Sequence, residues 1–144
     1  MSTASTAAPR PGLGRIDNPI FSALAIVGLI GIAWIHLLDL RDKMEEAPYL
    51  GVAYIVLIAG CVAAVVLLAR RNYFGFVLGG RLAAATFIGY NLSRTVGLPS
   101  ATRDINNWME PLGVWSLIAE GAVVAISATA LTIARSRARR LIQP

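Results

Sequence analysis

The chain has a single cysteine, a single histidine and a single lysine. The lone thiol, Cys61, leaves no internal disulfide, and no CxxC or CxxxC pair exists to hold zinc or an iron–sulfur cluster. In the middle of an apolar run it reads as a small buried residue. With His36 as the only imidazole, a bis-histidine haem would need a second protein or a second copy of the chain. Charge is scarce as well: 15% of residues are charged, where soluble domains carry about 25%. No proline interrupts the interior of a long apolar run, so nothing predicts a proline kink. There is also no serine–histidine pair in reach, no paired acids in a cleft, no glycine-rich phosphate loop and no metal cluster. These absences predict that the protein is not an enzyme and carries no catalytic residue.

What is present is apolar and unevenly spread. Of 144 residues, 56% are hydrophobic. They concentrate in four runs, Pro19 to Leu38, Tyr49 to Ala69, Tyr73 to Val96 and Leu112 to Ala134. Each is close to the ~20 residues that cross a ~30 Å hydrocarbon core. Lipid offers no partners to open strand edges, and no barrel-like alternation is seen, so helices are expected. The fold class is therefore an all-α membrane protein, a four-transmembrane-helix bundle with helices over about 19–40, 49–70, 73–97 and 112–134. Residues 1–18 read as a disordered cytoplasmic tail and 135–144 as a basic cytoplasmic one. The first run is longer than a signal-peptide core and lacks a small-x-small cleavage site, so an uncleaved segment is expected. Pro48, Pro99 and Pro111 punctuate the turns.

Basic residues set the orientation. Arg10, Arg15, Arg70, Arg71, Arg135, Arg137, Arg139 and Arg140 lie on one side. Arg41, Lys43 and Arg103 lie on the other, diluted by Asp39, Asp42, Glu45, Glu46, Asp104 and Glu110. The positive-inside rule then places both termini in the cytoplasm. Trp34, Tyr49, Trp108 and Trp115 gather at the outer interface as an aromatic belt. The formal charge of +5 thus points to topology and anionic headgroups rather than to nucleic acid.

Ionisable groups at membrane depth are costly and mark candidate sites. Glu120 lies roughly 12 Å into the fourth helix at 1.5 Å per residue, on a small polar stripe with Gly113, Ser116, Val124 and Ser127. On the third helix, Gly75, Gly79, Ala83, Thr86, Tyr90, Arg94 and Gly97 fall within roughly a 100° arc. Its inner part has the small-xxx-small spacing that allows close helix approach. Its outer part brings Tyr90 and Arg94 level with Glu120. An intramembrane polar network of Arg94, Tyr90 and Glu120 is the expectation. Arg81 projects the other way and can snorkel to the headgroups. The second helix shows only the stripe Ala53, Gly60 and Ala64, which reads as packing.

His36 shares a stripe with Ser22, Ala25, Leu29 and Ile32, and Asp39 follows one turn later. A His36–Asp39 contact at the outer face is expected. Met44 and Met109 flank the same surface and with His36 form a candidate metal set, copper being the metal that suits soft sulfur ligands. Otherwise no cofactor is predicted; haem or copper enters only as the alternative built on His36.

The strings His36-Leu37, Pro48-Tyr49-Leu50-Gly51, Gly89 to Pro99, Glu110-Pro111-Leu112-Gly113 and Glu120 resemble small four-helix integral membrane proteins of actinobacteria. The resemblance spans residues 20 to 134. It implies a bacterial plasma membrane and brings no activity with it. Four functions are in view, the last a membrane enzyme whose site Glu120, Tyr90 and Arg94 could serve, with no substrate implied. The first is a non-enzymatic accessory or structural subunit of a larger membrane assembly, with the lipid bilayer and other subunits or further copies of itself as partners. The second is a small oligomeric ion-coupled transporter or channel using Glu120. The third is a metal- or haem-binding redox sensor using His36.

Overall fold

In the computed structural model, which describes residues 18–140, the chain is all helical: α1 Pro19–Glu46, α2 Pro48–Ala69, α3 Tyr73–Thr95 and α4 Pro111–Arg140. α1, α2 and α4 are long and apolar enough to cross a membrane. α3 has the length, 23 residues or about 34 Å. It is less apolar, because Arg81, Asn91, Ser93, Arg94 and several glycines interrupt it.

Each boundary has a local cause. The Asn18 side chain accepts from the backbone N–H of Ile20 at 3.1 Å and caps α1, with Pro19 in the first turn. α1 and α2 are separated only by Ala47, whose extended backbone (φ −152°, ψ 107°) is what the ring of Pro48 imposes on its predecessor. Asn72 caps α3 by accepting from Phe74 N–H at 2.9 Å. α3 ends where Gly97 takes φ 78° and donates to the Leu92 carbonyl at 3.0 Å, a left-handed stop that glycine adopts without strain.

Two helices outrun their apolar segments. α1 continues past residue 40 to Glu46, its extra turns tied by Arg41–Glu45 and Lys43–Glu46. α4 continues through the basic stretch to Arg140, so that part of the expected tail is helix, arginine being a good helix former. The tail expected over residues 1–18 lies, except for Asn18, outside the described residues, as do residues 141–144.

The helices pack in a ring, α1 on α2, α2 on α3, α3 on α4 and α4 on α1, with little contact across it. The buried set of α1 is Ser22, Ala25, Leu29, Ile32 and His36, one stripe of a 3.6-residue period. Glycines set the closest approaches: a Cβ on Gly28 would lie 2.5 Å from Val123 of α4, and one on Gly75 would lie 2.8 Å from the Leu68 backbone of α2. Leu29, Phe76, Leu68, Cys61 and Val123 fill the core. Outward, Ile20, Val27, Val56, Phe74 and Ile118 are among many exposed large apolar side chains, the surface of a membrane-embedded protein.

Candidate functional site

Toward the end holding the 70–72 turn, Leu29, Leu68, Phe76, Val123 and Ala130 pack the core. At the opposite end, where Ala47 and the 96–110 connection lie, the ring encloses a chamber of about 360 Å³. Every helix contributes to it: His36, Asp39 and Lys43 from α1, Tyr54 from α2, Thr86, Tyr90 and Arg94 from α3, Ser116 and Glu120 from α4. Small residues make the space, since Ala53, Ala85, Gly89 and Gly113 line it where larger side chains would fill it.

Glu120 is 1% exposed. Ser116, one turn earlier on α4, donates to its Oε1 at 2.7 Å. Its Oε2 is buried with no hydrogen-bond partner. Thr86 faces the same carboxyl, but its hydroxyl is engaged by the carbonyls of Leu82 at 3.0 Å and Ala83 at 3.1 Å. The nearest imidazole is His36, with Nε2 4.0 Å from Oε1. His36 Nδ1 lies 2.9 Å from the Ile32 carbonyl. A carbonyl only accepts, so Nδ1 carries a hydrogen, and when the ring is neutral its Nε2 lone pair is turned toward Glu120. The Tyr54 ring packs edge-on against His36 at 4.6 Å, and its hydroxyl donates to Asp39 at 3.2 Å.

A charged lid lies over the end of the chamber. Arg94, 3% exposed, pairs with Asp104 at 2.7 Å and with Glu110, and stands 4.8 Å over the Tyr90 ring. Lys43 of α1 reaches Asp104 at 2.6 Å. The 96–110 connection is thereby fastened to both α1 and α3, and Asn106 N–H adds a bond to the Arg94 carbonyl at 2.9 Å. Burial pushes the Asp104 carboxyl up, but the hydrogen bonds from Lys43 and Arg94 outweigh it, and the group sits below the ordinary carboxylate value. Beyond the lid, Asp39, Lys43, Asp104 and Glu110 also line a second hollow with Asp42, Glu45, Glu46 and Arg103. The chamber and the aqueous side therefore share a wall of mostly acidic groups.

The expected network of Arg94, Tyr90 and Glu120 lines one chamber without forming one bonded chain. Arg94 is drawn outward by Asp104 and Glu110, and Tyr90 donates to the Trp108 carbonyl at 3.1 Å. Glu120 is left with Ser116 and His36. The expected His36–Asp39 contact is replaced by His36–Glu120 and Tyr54–Asp39, because His36 lies on the inward stripe of α1 beside α4. The set of His36, Met44 and Met109 is not assembled: Met44 lies over Gly51, Met109 is 83% exposed, and neither lines the chamber. Among the described residues no group of three or more His, Cys, Asp or Glu is placed to hold a metal. Arg81 is exposed.

Sequence reasoning missed Tyr54, Lys43, Asp104 and Glu110 as parts of the site. On α2 the small stripe held in part: Ala64 is buried and Leu82 of α3 lies over Gly60, whereas Ala53 is exposed and borders the chamber. Compared with protein-family models, with curated proteins and with solved structures, the chain finds no match in any of the three.

Proposed function

We propose that the chain is a small multi-pass protein of a bacterial plasma membrane that works as an ion-coupled carrier, with Glu120 as the group that exchanges a proton for a bound cation. In this reading α3 is the fourth crossing helix, both termini are cytoplasmic, and the chamber lies in the outer half of the membrane. The single observation that supports it most is Glu120 itself: a buried carboxyl with one free oxygen, on the wall of a chamber whose acidic mouth leads toward water. A glutamate kept for packing would be expected to have both oxygens satisfied. An unsatisfied ionisable group at membrane depth is the usual mark of an ion or proton path.

The sequence favoured an accessory subunit on the small size of the chain, its small-residue stripes and the lack of any catalytic constellation. The grouping of its polar residues around one chamber is what turns the reading toward the carrier. The arginine balance supports the orientation, and partners in the membrane are further copies of the chain or other subunits.

The test is site-directed labelling in a Cys61→Ala background. Gly89 lines the chamber, and a Cβ there meets nothing within 4 Å. Gly89→Cys in intact cells should react with a membrane-impermeant thiol reagent added outside, whereas Ser136→Cys should react only after the inside is opened. Labelling of Gly89→Cys only from inside would reverse the orientation. Its failure to react from either side would remove the water-reaching chamber and the carrier with it.

A further inference from the structure

Three features of the chamber converge on the kind of cation it takes. The first is its charge. Lys43 and Arg94 are outnumbered by Asp39, Asp104, Glu110 and Glu120 on its lining. Arg94 and Lys43 engage Asp104, Glu110 and Glu46. Among the described residues, Asp39 and Glu120 have no lysine or arginine within ion-pair distance.

The second is the gap between His36 and Glu120. A lone pair on Nε2 and a carboxylate oxygen are both acceptors, and they face each other 4.0 Å apart. Two acceptors in that arrangement are reconciled by a proton on one of them or by an N–H donor set beside both. The unpartnered Oε2 of Glu120 provides a further acceptor. A protonated amine offers the donors and the positive charge together, whereas a bare alkali ion offers no hydrogen to a lone pair.

The third is a side opening. α2 and α3 are clamped together near the 70–72 turn, where Leu68 covers Gly75 and Leu82 covers Gly60. At the far end the Tyr49 hydroxyl bonds to the Pro99 carbonyl at 2.8 Å. Between these ties the chamber reaches the apolar outer surface: Ala53 and Ala85 line it and are exposed, as is Val56, and Gly89 beside them carries no side chain. Most of the remaining lining is apolar, which suits a hydrocarbon body.

Resting on the carrier reading, we propose that the cargo is a lipid-soluble organic cation, a protonated aliphatic amine, that enters from the bilayer between α2 and α3 and sets its ammonium group against Glu120 and His36. On binding, the ammonium takes the place of the Glu120 proton. That proton leaves through the acidic mouth, so one positive charge enters the site as one departs. The group nearest Glu120 is His36 of α1, with Cys61 of α2 and Thr86 of α3 alongside; Asp39, Lys43, Tyr54, Tyr90, Arg94, Asp104 and Glu110 share the chamber farther out. Only Glu120 gives up the proton in this exchange.

The experiment uses the full chain in lipid nanodiscs, with empty discs as background, and three radiolabelled amphiphiles of one length: octylammonium, octanol and octanoate. Octylammonium should bind saturably and more tightly as pH rises, with release of a proton into weakly buffered medium. Glu120→Gln should weaken it by about tenfold or more, as expected for a lost charge-assisted hydrogen bond. Gly89→Leu, at a position where an added Cβ meets nothing within 4 Å, should block it by narrowing the entry. Preference for octanol, or for octanoate held by Arg94 and Lys43, would overturn the proposal, and so would octylammonium binding that ignores both substitutions. If none of the three binds while Gly89→Cys still labels from outside, the amine is wrong and the carrier stands; if that labelling fails too, both fall.

Discussion

His36 Nε2 and Glu120 Oε1 face each other at 4.0 Å across the junction of α1 and α4, with the imidazole hydrogen committed to the Ile32 carbonyl on the other side of the ring. The pair is too far apart for a direct hydrogen bond and too close for two unprotonated acceptors to be indifferent to one another. Which of the two holds a proton, and what donates to both from beside them, decides their charge, which makes the pair the centre of the chamber's chemistry.

Glu120→Gln keeps the shape and the bond to Ser116 and removes the exchangeable proton. Thermal stability in detergent should stay level or rise, since an incompletely satisfied buried ionisable group is a stability cost. A loss of about 1–3 kcal/mol in a denaturation series would instead make the carboxylate a structural acceptor.

Arg94→Ala should be among the most damaging single changes. It strips the buried partner from Asp104 and Glu110 and frees the 96–110 connection. The expected cost is roughly 3 kcal/mol, at the low end for a broken buried pair because Glu110 is partly solvated. Hydrogen exchange over 96–110 checks it: protection should fall there and be kept in the halves of the helices nearer the 70–72 turn.

The lid should also release in acid. Asp104 is held below its ordinary value by Lys43 and Arg94 against the opposing effect of burial. A group lowered on folding contributes stability above its unfolded value, and that contribution disappears as pH falls through the folded value. Protection over 96–110, taken relative to the intrinsic exchange rate at each pH, should therefore fall as the medium is taken below the usual carboxylate range. In Asp104→Asn the acid step should be absent, protection being low at every pH; an unchanged step would assign it to another carboxyl.

Glycines on the same helix should behave oppositely. A Cβ at Gly75 would press on the Leu68 backbone, and backbone cannot swing aside, so Gly75→Ala should cost about 1–3 kcal/mol. A Cβ at Gly89 meets nothing within 4 Å. Gly89→Ala should gain about 0.5–1 kcal/mol from helix propensity alone. Equal effects at the two positions in a melting series would contradict the packing described.

Much of the fold was legible because helices repeat. The period alone picked out the buried stripe of α1 and placed Gly75, Gly79, Ala83 and Arg94 on the inward face of α3 and Glu120, Ser116 and Ser127 on that of α4. It erred by one residue on α4, where Val123 rather than Val124 is buried. The lid was not legible. Lys43 and Asp104 are 61 residues apart and meet only because a connection folds back over the ring, which no local pattern announces. The two acids that follow Arg94 within 16 residues were the available hint. Tyr54 was hidden for another reason: α2 is apolar all round, and a uniformly apolar helix gives the period nothing to resolve.

The most direct measurement is infrared spectroscopy of the Glu120 carboxyl in nanodiscs, isolated as the difference between the native chain and Glu120→Gln. A carrier that exchanges its proton requires a carboxyl band that changes with the pH of the medium and is converted to the carboxylate band when octylammonium is added. A band that responds to neither, fixed in one form across the range of about pH 4 to 10 in which unperturbed carboxyl, imidazole and amino groups titrate, would contradict it and return Glu120 to a role in packing.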